Sequence, residues 1–214
     1  MTTRLKLYNA ALRICGERSL ASLTESREPR HLLDDVWNDG GVDKCLESGF
    51  WIFAELFVRV DYDTEVTPAF GYNRAFSKPT DWVKTSGICS DEYFTAPITL
   101  YEDRNNYWYT SIDQIYVRYV SNGAAYGGDL SIWSSAFSDY VAAHFASQII
   151  YQLTNDRKVR ADVMALVKTR LTDAKNHNTS SKPPQFPATG RWVNSRSSRT
   201  GSGWDRGNRG SLIG

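Results

Sequence analysis

The sequence predicts an α+β protein, mainly α, in which a four-helix bundle core carries a small inserted antiparallel β domain and an extended C-terminal arm. Three observations favour this fold class. Apolar residues recur at helical spacing in two segments near the start of the chain and in two segments after residue 130. Between these pairs, short runs of β-branched and aromatic residues are separated by Pro and Gly. Residues 176–214 are rich in Gly, Pro and Ser and show no such pattern.

Two helices are predicted before the β-rich stretch. The first spans residues 3–15 and stops at Gly16. Its apolar positions share one face: Leu5, Tyr8, Leu12 and Cys15. The second spans residues 29–48, where Gly40 and Gly41 weaken the helix and allow a break, since each Gly costs about 1 kcal/mol relative to Ala. The following segment, GFWIFAELFVRV, is expected to be extended because it is rich in aromatic and β-branched residues.

The stretch 56–120 is predicted to be rich in strands. Its β-forming runs are WVKTSGI, YFTAPITLY, YWYTS and IYVRYV. In the last run, Ile115, Val117 and Tyr119 alternate with other residues at a period of two. This alternation is typical of a small antiparallel sheet with one face on a core.

Two further helices are predicted after the loop SNGAAYGGDLS. Ser134 or Ser135 caps a helix that runs to about Leu153. Thr154 and Asn155 interrupt the pattern, and a last helix covers residues 156–174. The predicted organisation has four parts: the N-terminal helices of the bundle (1–55), a β-rich insertion (56–125), the C-terminal helices of the bundle (126–175) and the extended basic arm (176–214).

Charge is distributed unevenly along the chain. Residues 176–214 carry six basic residues and one acid, a net charge of +5, whereas the preceding residues carry a net charge of −4. A basic arm favours an acidic partner, either nucleic acid or an acidic protein surface.

The sequence contains no recognisable catalytic or metal-binding motif. Its three histidines, His31, His144 and His177, lack metal-ligand spacing, and His144 is expected to be structural. Phosphate-binding glycine loops and a nucleophile–base pair are also missing. We therefore expect a protein that is not an enzyme and that needs no cofactor or metal.

The three cysteines and the hydropathy pattern favour a soluble protein made in the cytosol. Cys15, Cys45 and Cys89 are odd in number and widely spaced, which is typical of reduced, buried thiols. No apolar run approaches the roughly 18 residues needed to span a bilayer, and the first residues lack a signal-peptide pattern. No membrane association is expected.

The arm is the most informative chemical feature of the sequence. Arginine offers a rigid fork of donors that also stacks on aromatic rings. The arm combines five arginines with two tryptophans: Arg191, Trp192, Arg196, Arg199, Trp204, Arg206 and Arg209. Three interpretations are open: an arm that orders on a partner, nonspecific contact with nucleic acid, and plain disorder.

Several segments, in order, give the chain a family resemblance. They are ALRICGE, SLASLTE, ESGFWIFA, PAFGYNRAFSKPTDWVK, IDQIYVRYV and IWSSAFSDYVAAHFASQIIYQLT. In this order they resemble the head-to-tail adaptor proteins of tailed bacteriophages, called tail tubular protein A in short-tailed phages. The resemblance covers roughly residues 5–175, and GFWIFA and FGYNRAFSKPTDW are its strongest pieces.

The resemblance implies a structural virion protein located in the phage neck. Such proteins form a ring, usually of twelve copies, below the portal protein of the capsid. The ring extends the channel, helps to retain packaged DNA, which passes without sequence-specific binding, and docks the tail nozzle or tail fibres. The fold that it implies is a helical bundle with a β-rich, tail-facing domain.

The resemblance also suggests where partners bind. The arm residues named above are expected to touch the portal, since C-terminal extensions in this group often reach along it. The aromatics Tyr101, Tyr107, Trp108 and Tyr109 are candidates for tail-side contacts, with ordinary sheet packing as the open alternative. The SNGAAYGGDL loop is a candidate for a lumen or subunit contact.

Two other classes of function compete with a structural connector. A nucleic-acid-binding protein would use the basic arm on phosphates, and its binding would fall steeply with salt. A lysin-like enzyme would degrade cell-wall material, as some members of related families do. The 24 acidic residues contain candidate carboxylate pairs for glycoside chemistry, although nothing in the sequence singles one pair out.

Overall fold

The structure is a computed structural model that describes residues 2–68 and 71–181. Within these residues the chain forms five α-helices and two three-stranded antiparallel sheets. The helices are α1 (Arg4–Cys15), α2 (Glu28–Asn38), α3 (Gly41–Glu47), α4 (Ser135–Thr154) and α5 (Arg157–Ser180). The strands are β1 (Glu55–Asp61), β2 (Arg74–Ser77), β3 (Trp82–Cys89), β4 (Glu102–Arg104), β5 (Tyr107–Thr110) and β6 (Gln114–Ser121). The chain divides into two units after Thr179, and of the second unit only Ser180 and Ser181 are described.

The ends of α1 and α4 follow from their capping residues, of which Gly16, and Ser134 as one of two alternatives, were predicted. The Thr3 side chain accepts a hydrogen bond from the Lys6 amide, and Gly16 ends α1 with a φ of +76°. The Ser134 side chain caps α4 by accepting from the Phe137 amide at 3.2 Å. Asn155 ends α4 in a left-handed conformation, so the predicted break between the last two helices is confirmed.

The predicted second helix is divided at Gly40. Gly40 has a φ of +73°, a conformation that turns the chain between α2 and α3. A Cβ atom at Gly41 would lie 2.6 Å from the Val36 carbonyl oxygen and 3.2 Å from the Phe145 ring. The two glycines therefore allow α3 to fold back closely against α2 and α4.

Helix α4 lies at the centre of the helical core. Its buried residues are distributed around the helix rather than along one stripe, which is typical of a helix enclosed by other elements. The core also contains residues of α1, α2 and α3: Leu7, Tyr8, Leu12, Leu33, Cys45 and Leu46. Helices α1, α2 and α3 thus pack around α4.

Helix α5 contributes much less to this core. Only Val163 and Ala174 of its 24 residues are buried. Its C-terminal turn is held by Asn178, whose side-chain oxygen accepts from the Ile52 amide at 2.9 Å and whose amide group donates to the Phe50 carbonyl at 2.6 Å. These two bonds extend α5 to Ser180, beyond the predicted end at Ala174.

The prediction of a four-helix bundle core is therefore wrong. The described residues contain five helices and two small sheets rather than a bundle with an inserted β domain. The physical reasons are the turn at Gly40, which converts one expected helix into two, and the small buried surface of α5. The expected single sheet is also replaced by two, with strand orders β1-β6-β3 and β2-β5-β4.

Strand β6 connects the sheets to the helices. It is the central strand of its sheet, and Val58 of β1 and Ile88 of β3 both pair with Val117. On one face, Ile115, Val117 and Tyr119 enter a second core between the two sheets, together with Phe76, Ile88 and Trp108. On the other face, Val120 joins the helical core. The period-two alternation predicted for this strand is confirmed, and it serves two cores.

The segment GFWIFA forms a turn of 3-10 helix at Ile52–Ala54, where an extended segment was expected, before β1 begins at Glu55. The turn places Trp51 in the helical core, where it is 1% exposed. The Trp51 indole N–H donates to the Cys45 and Leu46 carbonyls at 3.2 and 3.1 Å, and its ring lies 4.7 Å from that of Phe137.

Replacing Trp51 with Ala is expected to lower the free energy of unfolding by about 3–5 kcal/mol, because it leaves a large cavity and removes the indole hydrogen bond to α3. Urea denaturation followed by circular dichroism measures this change. Tyr93→Ala is the control, since Tyr93 is 78% exposed and should change stability by less than about 0.5 kcal/mol. Equal effects of the two substitutions would contradict the role given to Trp51.

Protonation of His144 is expected to destabilise the fold. Burial lowers the pKa of His144 below its ordinary value of 6.5, with a smaller effect from the Lys44 charge. Because the unfolded chain then binds the proton more readily, this stability is complete above pH 6.5 and declines as the pH falls. The urea midpoint should therefore drop below that pH, and His144→Gln should flatten the dependence. An unchanged slope in the variant would contradict the account.

Candidate functional site

The residues predicted to bind the portal lie outside the described part of the chain. They are Arg191, Trp192, Arg196, Arg199, Trp204, Arg206 and Arg209. The expected arm began at Asn176, but α5 continues to Ser180. Contact between the arm and the portal stays a prediction.

Two of the four aromatics predicted to face the tail are part of the core between the sheets. Trp108 is fully buried, and its indole N–H donates to the Thr85 hydroxyl at 2.8 Å. Tyr101 is half-buried and packs against the same core. Trp108 therefore has the sheet-packing role that the sequence left open.

The other two aromatics, Tyr107 and Tyr109, alternate with Trp108 along β5 and point to the opposite face. Both are half-buried, and their ring centroids lie 6.2 Å apart. On the neighbouring strand β4, Arg104 pairs with Glu102 at 2.7 Å. This face combines aromatic area with charge, and its contact with a tail protein stays a prediction.

A buried lysine joins the two sheets. Lys78 follows β2 and has a side chain that is 4% exposed. Its ammonium group pairs with the Asp103 carboxylate of β4, donates to the Asn105 carbonyl at 2.7 Å and lies 3.6 Å from the centre of the Trp82 ring. A positive charge over an indole face is attracted by the ring quadrupole. The charge of Lys78 is thus compensated by an ion pair, a carbonyl and an aromatic ring.

Thr85 of β3 completes this network. Its hydroxyl donates to the Asp103 carboxylate at 2.6 Å and accepts from the indoles of Trp82 and Trp108 at 3.1 and 2.8 Å. One hydroxyl therefore connects a residue of β4 with residues of β3 and β5. We call Lys78, Thr85, Trp82, Asp103 and Trp108 the inter-sheet network.

The neighbouring Asp81 has a similar structural role. Its carboxylate accepts from the Tyr119 hydroxyl at 3.1 Å and from the Ser121 hydroxyl at 2.5 Å. Burial and the Asp81 charge raise the pKa of Tyr119, so its phenol remains a donor at neutral pH. Asp81 also accepts from the Asn122 amide through its own carbonyl. The segment SKPTDW therefore fixes the end of β6.

The SNGAAYGGDL loop packs closely against the body. A Cβ atom at Gly127 would lie 2.3 Å from the Ser121 carbonyl oxygen, and one at Gly128 would lie 2.6 Å from that of Asn122. The Trp133 indole N–H donates to the Gly127 carbonyl at 2.9 Å. The close approach of the loop to these carbonyl groups explains why glycine occurs at both positions. A lumen or subunit contact of this loop stays a prediction.

The described residues include neither a group placed to bind a metal ion nor a helix able to span a bilayer, and two of their thiols are protonated at neutral pH. Within residues 2–68 and 71–181, no group of three or more His, Cys, Asp or Glu side chains is placed to hold a metal ion. No helix in these ranges is long and apolar enough to cross a bilayer. Burial raises the pKa of Cys15 to about 11 and that of Cys45 to about 12, so both thiols are protonated at neutral pH.

The outward side of α5 is a surface that the sequence reasoning missed. The helix exposes six basic residues and two acidic ones. Its bases are Arg157, Lys158, Arg160, Lys168, Arg170 and Lys175. The net negative charge of residues 1–175 concealed this surface, and counting charge helix by helix would have found it.

Removal of Asp103 is expected to destabilise the protein. Asp103→Ala leaves the buried Lys78 ammonium without its counter-charge and should cost about 3 kcal/mol, the low end for a broken buried pair because Asp103 keeps some contact with solvent. In the double variant Lys78→Met and Asp103→Leu, much of this loss should be recovered. Urea denaturation of the two variants and the parent makes the comparison, and a double variant less stable than Asp103→Ala would contradict the account.

Neither a comparison with models of known protein families nor one with curated proteins found a match for this chain. The resemblance to phage adaptors therefore rests on the sequence segments quoted above. Two of those segments, GFWIFA and SKPTDW, have structural roles in the described residues, through Trp51 and through the inter-sheet network.

Proposed function

We propose that the chain is a head-to-tail adaptor, a structural protein of the phage neck that forms a ring below the portal. One observation carries this proposal, namely the position in the fold of the sequence segments on which the resemblance rests. GFWIFA connects α3, α4 and the end of α5, and SKPTDW connects the two sheets through Lys78 and Trp82. Segments that hold a framework are what a structural protein requires, and the proposal includes no catalytic role.

The two cores suit a body with different partners at different surfaces. In this proposal, the sheet face with Tyr107, Tyr109 and Arg104 contacts the tail nozzle or tail fibres. The part of the arm that follows Ser181, residues 182–214, contacts the portal. Around a ring of about twelve copies, the number that the resemblance implies, weak arm contacts would add up through multivalency. Packaged DNA would pass through the channel without sequence-specific recognition.

A nucleic-acid-binding protein is the second candidate function. The observation that favours it is the basic surface of α5, which adds six exposed bases to those of the arm. Phosphate-dominated binding would ignore sequence and weaken steeply between about 50 and 200 mM salt. Retention on duplex DNA at about 50 mM salt and release at about 200 mM salt, with no affinity for the portal, would favour this alternative.

Portal attachment is expected to depend on the arm. Co-sedimentation with the portal ring of the same genome compares the full chain with a chain that stops after Ser181, which keeps Asn178 and its bonds to residues 50 and 52. The full chain should bind stoichiometrically and the shortened chain weakly. Trp192→Ala or Trp204→Ala should weaken attachment more than Arg199→Ala, since aromatic anchors dominate interfaces.

Absence of portal binding by both chains would contradict the adaptor proposal. Circular dichroism of the shortened chain is the control for folding, since residues 2–181 contain all the helices and strands described here. Turnover of cell-wall material by the purified full chain would contradict the proposal that the protein has no catalytic role.

A further inference from the structure

Three of the six basic residues of helix α5 form one row along the helix. At 100° per residue, Arg157, Lys168 and Lys175 lie within about 20° of one another around the helix axis. All three are exposed. The two acids of the helix, Asp162 and Asp173, lie about 140–160° away from Arg157. We call Arg157, Lys168 and Lys175 the basic stripe.

The Arg157 end of the basic stripe borders an apolar hollow. Tyr151 at the end of α4 and Met164 of α5 are 40% and 49% exposed. They line a shallow depression of about 530 Å³ together with Arg157, Arg160 and Ala161. The Arg160 guanidinium lies 5.6 Å from the centre of the Tyr151 ring. Charge surrounding exposed apolar area is typical of a protein-binding surface.

Helix α2 carries a matching row of negative charge. Glu28, Asp35 and Asp39, the last at the C-cap, lie within about 40° of one another around the helix axis. All three are exposed. Asp34 of the same helix takes the ion pairs of Arg4 and Arg30, at 2.7 and 2.5 Å. We call Glu28, Asp35 and Asp39 the acidic stripe.

The two stripes share two of their spacings, eleven and seven residues. Arg157 and Lys168 are eleven residues apart, as are Glu28 and Asp39, which corresponds to about 16.5 Å along each helix. Lys168 and Lys175 are seven residues apart, as are Glu28 and Asp35, or about 10 Å. Two helices placed side by side can therefore align at least two pairs of opposite charge.

We propose that the basic stripe of α5 in one copy of the chain docks along the acidic stripe of α2 in a second copy. The contact joins two different surfaces, so it is heterologous and repeats from copy to copy until a ring closes. The proposal rests on the proposed function, because it assigns the subunit contact of that ring. Exposed ion pairs are individually weak, so the contact is sensitive to salt and draws on the apolar hollow as well.

Charge reversal tests this contact in the full chain without the portal. One variant carries Lys168→Glu and Lys175→Glu, and the other carries Asp35→Lys and Asp39→Lys. Each variant then presents like charges on both stripes, so its self-association should weaken at least tenfold relative to the parent. Mixed one to one, the variants again present opposite charges to each other and should co-assemble. Sedimentation velocity at about 50 mM salt measures the species formed, and about 500 mM salt should dissociate them.

The matched control reverses the acids on the other side of α5, with Asp162→Lys and Asp173→Lys, and should self-associate as the parent does. Circular dichroism confirms that each variant is folded. A parent that remains monomeric, reversal variants that associate like the parent, or a mixture that fails to assemble would each overturn the proposal. Loss of duplex DNA binding in the α5 variant with unchanged self-association would also overturn it, in favour of a nucleic-acid surface.

Portal binding and self-association are measured in separate experiments, so that the adaptor function and the subunit contact can each fail alone. A chain that self-associates through these stripes but does not bind the portal would contradict the adaptor function and leave the contact standing. A chain that binds the portal while the charge reversals have no effect on self-association would contradict the contact and leave the adaptor function standing.

Discussion

The alternation of side chains along β6 is the constraint on which the rest of the fold depends. Residues on one face of this strand enter the core between the sheets, and Val120 on the other face enters the helical core. Neither core can be repacked without moving the strand that both share. The bonds of Asp81 to Tyr119 and Ser121 fix the end of β6 at the point where the cores meet. Displacing β6 by one residue would exchange the two faces and empty both cores.

The parts of the fold that could be predicted from the sequence are governed by neighbours along the chain. Gly16, Ser134 and Asn155 bound helices through local bonds and local backbone conformation, so their roles could be predicted from the sequence. The period-two pattern of β6 could be recognised in the sequence for the same reason. The weakness at Gly40 was visible too, although its consequence, a separate helix packed back on Phe145, was not.

The parts that could not be predicted depend on partners distant in sequence. Asn178 extends α5 through bonds to residues more than 120 positions away, and no local signal announces them. Lys78 reads as an exposed charge until Asp103 and Trp82 are placed beside it. For Trp108, the sequence was equally compatible with a partner-binding surface and with the core, because an indole side chain suits both. For the candidate site, composition pointed to the arm and overlooked the charge on α5.

The proposed account separates residues that hold the framework from residues that meet partners. Trp51 and Trp108 are buried and anchor the two cores, whereas the basic stripe and the acidic stripe are exposed and are proposed to direct assembly. Weak contacts between copies suit a ring, because closing the ring makes each contact depend on all the others. A ring of this kind would form reversibly and would be strengthened by the binding of a partner along its circumference.

The most direct test of this account is disulfide cross-linking of a full chain that carries Asp39→Cys and Lys168→Cys, oxidised in the presence of the portal ring. The parent chain, with its three native cysteines, is the control for background cross-linking. Because a heterologous contact passes from copy to copy, the account predicts a ladder of covalent multimers that extends to the full ring. A product limited to dimers, or no product beyond that of the parent, would contradict it.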